Sequence, residues 1–261
     1  MSEASLSVTA LPAFADNYIW LVDNRTCAIV VDPGDFATVD TALRQRALTL
    51  SAIVLTHRHE DHIGGVKKLV SQFSVPVYGP QSDEMPFVSH PVSEKAPLVI
   101  ASLPVSFTVL SVPGHTREHL AYYAPDQQWL FCGDMLFGAG CGRMFEGTAG
   151  MMIASLAQFS ALPDETRVFS AHEYTLSNLK FAQEIEPNNQ DIRQRIEVET
   201  AKREKKQPTL PSTIGLEKKT NPFLRHAEET VINRLLALNK IDSKDNVSAF
   251  AAMREWKNVY R

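Results

Sequence analysis

Three histidines and one aspartate with the spacing of metal ligands lie in a single short segment of the sequence, residues 56–65. The segment reads THRHEDHIGG and supplies His57, His59, Asp61 and His62 directly after the apolar run SAIVL. Neutral imidazole and carboxylate groups are common ligands of zinc, iron and manganese. A solvated polar loop explains an isolated histidine, but three histidines around an aspartate favour a metal site.

Three further candidate ligands each follow a strand-like run. His115 follows LSVPG, Asp134 follows WLFCG, and His172 follows RVFSA. Open α/β sheets bind their ligands at the carboxyl ends of strands. Each residue alone could be a turn residue, a helix cap or a core histidine, but the repeated position favours a common site.

Together these residues supply five imidazoles and two carboxylates, which is more than one tetrahedral zinc ion uses. Two ions that share one carboxylate would use all seven, because a carboxylate can bridge ions about 3.5 to 4 Å apart. The sequence therefore predicts two divalent metal ions per chain. The donors suit zinc, iron or manganese, and ligand type alone does not choose among them; zinc is taken as the first candidate.

The elements that must position these ligands alternate between strands and helices up to about residue 171. Runs rich in β-branched and aromatic residues predict strands at SVTAL, NYIWLV, CAIVVD, SAIVLT, VPVYG, VSFTVLSV, HLAYYA, QQWLFC and TRVFSA. Helical periodicity is found in FATVDTALRQRAL, GGVKKLVSQF and MMIASLAQFSAL. From about residue 174 only helical patterns are convincing, and a proline-bounded connector, QPTLPSTIGLEKKTNPF, divides them. We expect an α/β domain over residues 1–173 and a helical domain over residues 174–261.

Composition and charge disfavour several classes of function. The 261 residues carry a formal net charge of −4, which argues against a strong electrostatic grip on nucleic acid or anionic lipid. No apolar run approaches the roughly 20 residues that span a bilayer, and the first residues lack a secretory-leader pattern. The three cysteines do not suggest a disulfide framework. We expect a cytoplasmic monomer without nucleic-acid or membrane partners.

The ligand motifs resemble those of metallo-β-lactamase-fold hydrolases. THRHEDHIGG is similar to the THxHxDHxGG signature of that superfamily, and PGHT, GDMLF and AHEYT follow in its usual order. The resemblance implies a four-layer αββα sandwich with a C-terminal helical domain. It also implies that one ion is held by His57, His59 and His115 and the other by Asp61, His62 and His172, with Asp134 bridging them. This fold hosts many reactions, so it does not by itself determine the substrate.

Segments outside the metal motifs resemble one family, the hydroxyacylglutathione hydrolases or glyoxalases II, along essentially the whole chain. They are ADNYIW, GCGRMFEGTA, NPF and REWK. The resemblance implies a glutathione site completed by the helical domain, with the substrate-binding residues Arg143, Phe145, Tyr174, Arg254 and Lys257. Arginine and lysine suit the two carboxylates of glutathione. The chain departs from other members at Arg143, where they have Lys, at Phe145, where some have Tyr, and at Glu118, where many have Gly.

The implied reaction is hydrolysis of S-(2-hydroxyacyl)glutathione, with S-D-lactoylglutathione as the leading substrate, to glutathione and a 2-hydroxy acid (D-lactate). This is the second step of methylglyoxal detoxification. Asp61 and Asp134 would be catalytic by orienting a metal-bridging hydroxide. Since a thiol has a pKa of about 8.5, the departing thiolate needs no protein acid. Cys132 and Cys141 have no evident base partner, so we do not expect a thiol nucleophile.

Neighbouring titratable residues are given no ligand role. Arg58 and Glu60 are expected to point outward, whereas His119 either orients a ligand or is a buried structural histidine. His90 and His226 have no motif around them.

Other functions stay open at the level of sequence. A mononuclear iron persulfide dioxygenase would act on a related glutathione derivative but should need fewer than seven ligands. Another hydrolase of the same fold is also possible in principle, although a β-lactamase gives no role to CGRMFEG, and the net charge disfavours a nuclease. A metal-binding interaction module is the non-enzymatic alternative. Metal analysis combined with a thioester hydrolysis assay separates these functions.

Overall fold

The structure, a computed structural model, describes residues 6–94 and 96–260. Their secondary structure consists of β1 (Ser7–Ala13), β2 (Asn17–Asp23), β3 (Cys27–Val31), α1 (Phe36–Gln45), β4 (Thr49–Val54), α2 (Glu60–Ile63), α3 (Val66–Phe73), β5 (Val77–Gly79), β6 (His90–Pro91), β7 (Leu98–Val99), β8 (Ser106–Ser111), β9 (Leu120–Ala124), β10 (Trp129–Gly133), β11 (Leu136–Phe137), β12 (Gly140–Cys141), α4 (Ala149–Ser160), β13 (Arg167–Ser170), α5 (Thr175–Ile185), α6 (Gln190–Glu204), β14 (Ser212–Thr213), α7 (Ile214–Thr220), α8 (Glu229–Ala237) and α9 (Asn246–Val259). These elements form two compact units. Among the described residues, the first unit comprises those up to Ser111 together with Glu118–Gly133, and the second comprises Val112–Arg117 and those from Asp134 onward.

The first unit contains a six-stranded sheet in the order β1-β2-β3-β4-β5-β6. The first three strands pair antiparallel, and β3 to β6 pair parallel. Strand β2 and nearly all of β3 are buried, which is why their sequences are almost continuously apolar. Helices α1 and α3 pack apolar side chains into the same core, among them Val39, Leu43, Val66 and Leu69.

An antiparallel run of strands, β7 to β10, completes the first unit. It contacts the segment that follows β4 at two points. The hydroxyl of Tyr122 donates to the carbonyl of Leu55 at 2.6 Å, and the N–H of Leu120 donates to the carbonyl of Thr56 at 2.9 Å. The start of the candidate ligand loop is therefore held by hydrogen bonds to two of its backbone carbonyls.

The second unit contains the hairpin β11–β12, the pair β13–β14 and helices α4 to α9. The expectation that only helices follow residue 174 is wrong at β14. This strand pairs antiparallel with β13, with Arg167 opposite Thr213 and Val168 opposite Ser212. Two residues within a proline-bounded connector are too few to show an alternating pattern. The same connector forms α7, whose first turn is capped by the Thr213 hydroxyl.

The predicted strands and longer helices are all present. The nine strand-like runs form β1 to β5, β8 to β10 and β13, and the three helical patterns quoted above form α1, α3 and α4. The helical patterns after residue 174, which lie in SNLKFAQEIE, NQDIRQRIEVETAKREKKQ, AEETVINRLLAL and NVSAFAAMREWKNVYR, form α5, α6, α8 and α9. The elements that the sequence did not reveal have two to seven residues, too few for a reliable periodicity. Throughout residues 6–94 and 96–260, none of the helices combines the length and apolar composition needed to cross a membrane.

Candidate metal centre

The four candidate ligands after β4 form one cluster. His57 and His59 precede α2, and Asp61 and His62 lie on it. His57 Nε2 lies 3.0 Å from His59 Nδ1, and His62 Nε2 lies 3.6 Å from Asp61 Oδ2. The ring centroids of His57 and His62 are 4.2 Å apart. The short loop and single-turn helix thus gather three imidazoles and one carboxylate.

Buried polar groups behind this cluster orient two of its rings. The carboxylate of Asp32 accepts hydrogen bonds from the N–H (2.8 Å) and the hydroxyl (2.7 Å) of Thr56. Asp32 Oδ2 also lies 3.1 Å from His62 Nδ1, and the Thr56 hydroxyl lies 3.0 Å from His57 Nδ1. Because a metal-binding histidine usually engages its other ring nitrogen in this way, Nε2 is the available ligand atom of both rings.

Two polar residues of this cluster, Asp32 and Asn17, are absent from the sequence-based predictions. Asn17 Nδ2 donates to Asp61 Oδ2 at 2.9 Å. Asp32 comes directly after β3, the same position relative to a strand that suggested His115 and Asp134, so this signal could have found it. Asn17 lies within the quoted segment ADNYIW but has no comparable physical signal.

The neighbouring residue Arg58 does not simply point outward as expected. Its side chain is only 18% exposed and pairs with Glu118 at 2.7 Å and with Glu84 at 2.9 Å. Glu118, which stands where many relatives of the resembled family have Gly, therefore has a partner of opposite charge. Glu60 is exposed as predicted. His119 is fully buried, and its ring stacks on that of His57 at 4.7 Å between centroids.

The remaining three candidate ligands also lie together. His115 Nε2 is 3.4 Å from Asp134 Oδ2, and His172 Nε2 is 3.3 Å from Asp134 Oδ1. Two atoms bound to the same zinc ion at the tetrahedral angle lie about 3.4 Å apart, since zinc–nitrogen and zinc–oxygen bonds are about 2.0 to 2.2 Å. Both spacings fit metal ligands, and each oxygen of Asp134 faces a different histidine.

Each unit therefore contains its own cluster of candidate ligands. His57, His59, Asp61 and His62 lie together in the first unit, and His115, Asp134 and His172 lie together in the second. Nitrogen and carboxylate oxygen donors suit zinc, iron or manganese. The donor set therefore fits a dinuclear metal site.

Two glycines permit the close backbone approach at these ligands. Gly133, which precedes Asp134, has a positive φ of 50°, and a Cβ there would lie 2.4 Å from Thr56 Oγ1. At Gly142 a Cβ would lie 1.9 Å from the carbonyl oxygen of Asp134 and 3.1 Å from His115 Nδ1. Any other residue at Gly142 would displace backbone next to two candidate ligands.

Two candidate substrate residues place aromatic rings against these histidines. Phe145, which is 60% exposed, contacts His115 edge-on with 5.2 Å between ring centroids. Tyr174 stacks on His172 at 4.8 Å with the planes 6° apart. The two rings supply apolar surface next to the proposed reaction centre.

The other three candidate substrate residues form a cluster of positive charge. Helix α9 carries Arg254 and Lys257 one turn apart. Burial and the positive charges of Arg254 and Arg143 lower the pKa of Lys257 to about 8. Arg254 is only 5% exposed, so it does not lie on a solvated helix face; its guanidinium donates to the carbonyl of Cys141 at 2.6 Å.

Two cysteines and two histidines that carry no predicted site role have surroundings that do not suggest one. Burial raises the pKa of the Cys141 thiol to about 11, so the thiol is protonated at neutral pH, and Cys132 is also buried. His90 is exposed. Burial lowers the pKa of His226, whose Nδ1 lies 2.9 Å from the carbonyl of Phe223.

Comparison with known proteins gives consistent matches along the chain. Residues 14–172 match the family model described as Metallo-beta-lactamase superfamily, and residues 173–260 match that described as Hydroxyacylglutathione hydrolase C-terminus. The hydroxyacylglutathione hydrolase of Nitrosomonas europaea is 47% identical over 259 residues, which cover 98% of this chain and 97% of that protein.

Solved structures show the same fold. The crystal structure of ETHE1 from Myxococcus xanthus matches with a TM-score of 0.63 and 24% identity over 96% of this chain and 98% of that one. TTHA1623, crystallised in a di-iron-bound form, matches with a TM-score of 0.57 and 25% identity over 83% and 99% of the two chains. These matches confirm the predicted metallo-β-lactamase fold with mixed α and β elements and a C-terminal helical region.

Proposed function

This chain belongs to the hydroxyacylglutathione hydrolase family within the metallo-beta-lactamase superfamily, and we propose that it hydrolyses S-(2-hydroxyacyl)glutathione to glutathione and a 2-hydroxy acid. S-D-lactoylglutathione is the proposed main substrate and D-lactate its product. The observation that carries the proposal is the position of Asp134. Its two oxygens lie 3.4 and 3.3 Å from different histidines, His115 and His172, as expected of a carboxylate shared by two ions.

We assign one ion, most simply zinc, to His57, His59 and His115, and a second to Asp61, His62 and His172, with Asp134 shared. Iron and manganese suit the same donors. Two divalent ions would supply hydroxide near neutral pH and polarise the thioester carbonyl.

The protein's own groups set the direction of attack in this proposal. Asp61 and Asp134 orient the nucleophile through their carboxylate oxygens. Asn17 Nδ2 donates to Asp61 Oδ2 at 2.9 Å, and this hydrogen bond holds the Asp61 carboxylate in one rotamer. The leaving group is the thiolate of glutathione, whose modest basicity allows departure without a protein acid. The high pKa of Cys141 agrees with hydrolysis that uses no thiol nucleophile.

Substrate recognition in this proposal combines charge and aromatic surface. Arg143, Arg254 and Lys257 form a positive cluster that suits the carboxylates of glutathione. The rings of Phe145 and Tyr174 flank the histidines next to them and would contact the thioester and its acyl group. We propose residues 1–173 as the catalytic domain and residues 174–261 as the substrate-binding domain.

The proposed function also concerns the cellular compartment, the oligomeric state and the partners of the enzyme. We further propose that the enzyme is a cytoplasmic monomer. A net charge of −4 and a small charged thioester as substrate fit an enzyme that acts without nucleic-acid or membrane partners.

The test combines metal analysis with thioester turnover. The purified protein should contain two metal ions per chain and release free thiol from S-D-lactoylglutathione. Asp61→Asn should abolish turnover, whereas Asp164→Asn, which alters an exposed carboxylate bonded to Lys218, should preserve it. Oxygen consumption with glutathione persulfide and no thioester hydrolysis would establish a dioxygenase instead, and two bound metals with neither reaction would establish a binding module.

A further inference from the structure

The hairpin formed by β11 and β12, Leu136 to Cys141, connects the candidate metal ligand Asp134 with Arg143. Its backbone is held by side chains from helices of the C-terminal region, all within the second unit. Asn178 of α5 donates through Nδ2 to the carbonyl of Gly138 at 3.0 Å. The N–H of Ala139 donates to Glu217 Oε2 of α7 at 2.8 Å.

A second asparagine, Asn221, directly follows α7 and makes the densest set of these contacts. Its Nδ2 donates to the carbonyls of Gly140 at 2.9 Å and Phe137 at 3.3 Å, and to Glu217 Oε2 at 3.0 Å. The side chain is fully buried. A buried amide that gains several partners contributes stability, but it also fixes the relative positions of the groups that it joins. We call Asn178, Glu217 and Asn221 the hairpin clamp.

The carboxylate of Glu217 is itself held in place by hydrogen bonds to its other oxygen, Oε1. Arg195 of α6 donates to Glu217 Oε1 at 2.6 Å, and the hydroxyl of Ser212 donates to the same oxygen. Glu217 is fully buried and Arg195 is 3% exposed. Since a buried charge is costly unless it is paired and hydrogen-bonded, this carboxylate has little freedom to move. The hairpin is therefore bonded to a rigid support.

The hairpin in turn determines the positions of two candidate metal ligands, Asp134 and His115. At its exit, Gly142 packs so closely on Asp134 that a Cβ would lie 1.9 Å from the carbonyl oxygen of Asp134. The next residue, Arg143, places its carbonyl 2.9 Å from His115 Nδ1. The ring N–H at that position can donate to the carbonyl, which turns His115 Nε2 toward Asp134 at 3.4 Å. A shift of the hairpin would therefore move both His115 and Asp134.

We propose that the hairpin clamp positions His115 and Asp134, so that the C-terminal helices help to determine metal affinity as well as substrate binding. Asn178, Glu217 and Asn221 are positioning residues, because they act through the backbone of the hairpin and contact neither ligand side chain in the hydrogen bonds described above. The inference rests on the proposed function only in treating His115 and Asp134 as metal ligands.

The experiment measures zinc affinity directly, by competition with a chromophoric chelator, in the full-length protein. Asn178→Ala removes one hydrogen bond to the hairpin, and Asn221→Ala removes the pair to Gly140 and Phe137. Each should weaken zinc binding by roughly 10- to 100-fold, the usual effect of losing a group that orients a metal ligand. The absorption spectrum of the cobalt-substituted protein should change as well.

Asn24→Ala is the matched control. Asn24 Nδ2 also donates to a backbone carbonyl, that of Ser102 at 3.2 Å, but within the described residues it has no hydrogen bond to the hairpin or to the helices that hold it. This variant should retain the zinc affinity and cobalt spectrum of the unmodified protein. Circular dichroism establishes that each variant is folded, and Asn178→Ala decides the question if Asn221→Ala does not fold.

Zinc binding and a cobalt spectrum that remain unchanged in folded Asn178→Ala and Asn221→Ala would overturn the clamp. The outcome is independent of the substrate. Loss of zinc affinity in a protein that does not hydrolyse glutathione thioesters would support the clamp and refute the proposed function. Normal zinc affinity in variants of a protein that does hydrolyse them would refute the clamp alone.

Discussion

The low pKa of Lys257 predicts that glutathione binding weakens as the pH rises through about 8. The pKa falls to about 8 because the ammonium is half-buried on α9 and because Arg254 and Arg143 repel its charge. Among the described residues, the other groups facing it are uncharged: the hydroxyl and carbonyl of Ser177 at 3.2 and 3.4 Å and the rings of Phe181 and Tyr260. An anionic ligand favours the protonated amine, so the affinity due to this charge is present below the pKa and lost above it.

The size of the effect follows from the fraction of Lys257 that is protonated. With a pKa of about 8, roughly 90% of the amine is charged at pH 7 and roughly 10% at pH 9. If only the charged form binds a carboxylate of glutathione, the dissociation constant rises about 10-fold between these pH values. A lysine of ordinary pKa, about 10.4, would remain more than about 90% charged at pH 9 and produce almost no change.

The assay is calorimetric titration with an unreactive S-alkylglutathione from pH 7 to 9. Lys257→Arg supplies the control, because arginine stays charged throughout this range, and it also corrects for titration of the ligand's own amino group. Lys257→Gln should bind weakly at every pH. An identical pH dependence in the unmodified protein and Lys257→Arg would refute a role for the charge of Lys257 in recognition.

Three further substitutions test other parts of the structure. Asp134→Ala should abolish thioester hydrolysis and reduce the metal content measured by elemental analysis, because both of its oxygens face candidate ligands; full metal content would contradict the shared position. Asn17→Ala removes the donor to Asp61 Oδ2 and should weaken metal binding roughly 10- to 100-fold with little change in melting temperature, whereas unchanged affinity would leave Asn17 without an orienting role. Arg195→Met leaves the buried charge of Glu217 without its partner and should lower the free energy of unfolding by about 3 to 5 kcal/mol, measured by denaturant titration; a loss of less than about 1 kcal/mol would show that the pair is not structurally important.

The fold was largely predictable because most of its elements are long enough to show their periodicity. Strands such as β2 and β3 are almost continuously apolar, and all seven candidate ligands come after strand-like runs. This position relative to the strands suggested that residues as distant in sequence as His57 and His172 are ligands in a common metal site. The same rule also indicates Asp32, which directly follows β3 but was not among the predicted site residues.

The sequence could not show which residues distant from each other in the chain form hydrogen bonds or ion pairs. The face of α9 that carries Arg254 and Lys257 was predictable from their spacing, but the burial of Arg254 against the carbonyl of Cys141 was not. Similarly, Arg58 gave no sign that it would pair with Glu84 and Glu118. Such pairings depend on how elements pack, and no periodic pattern records them.

The clamp also constrains when the chain can complete its metal centre during synthesis. Gly142, which closes the hairpin, is followed by 78 residues before Asn221, the last member of the clamp, is reached. At about 5 to 20 residues per second, a ribosome needs roughly 4 to 16 s to add them. Until then the carbonyls of Phe137 and Gly140 lack their Asn221 partner, although His115 and Asp134 have long been made. With the role proposed for the clamp, a chain that is stalled or truncated before Asn221 would carry the candidate ligands His115 and Asp134 without the contacts that hold the hairpin.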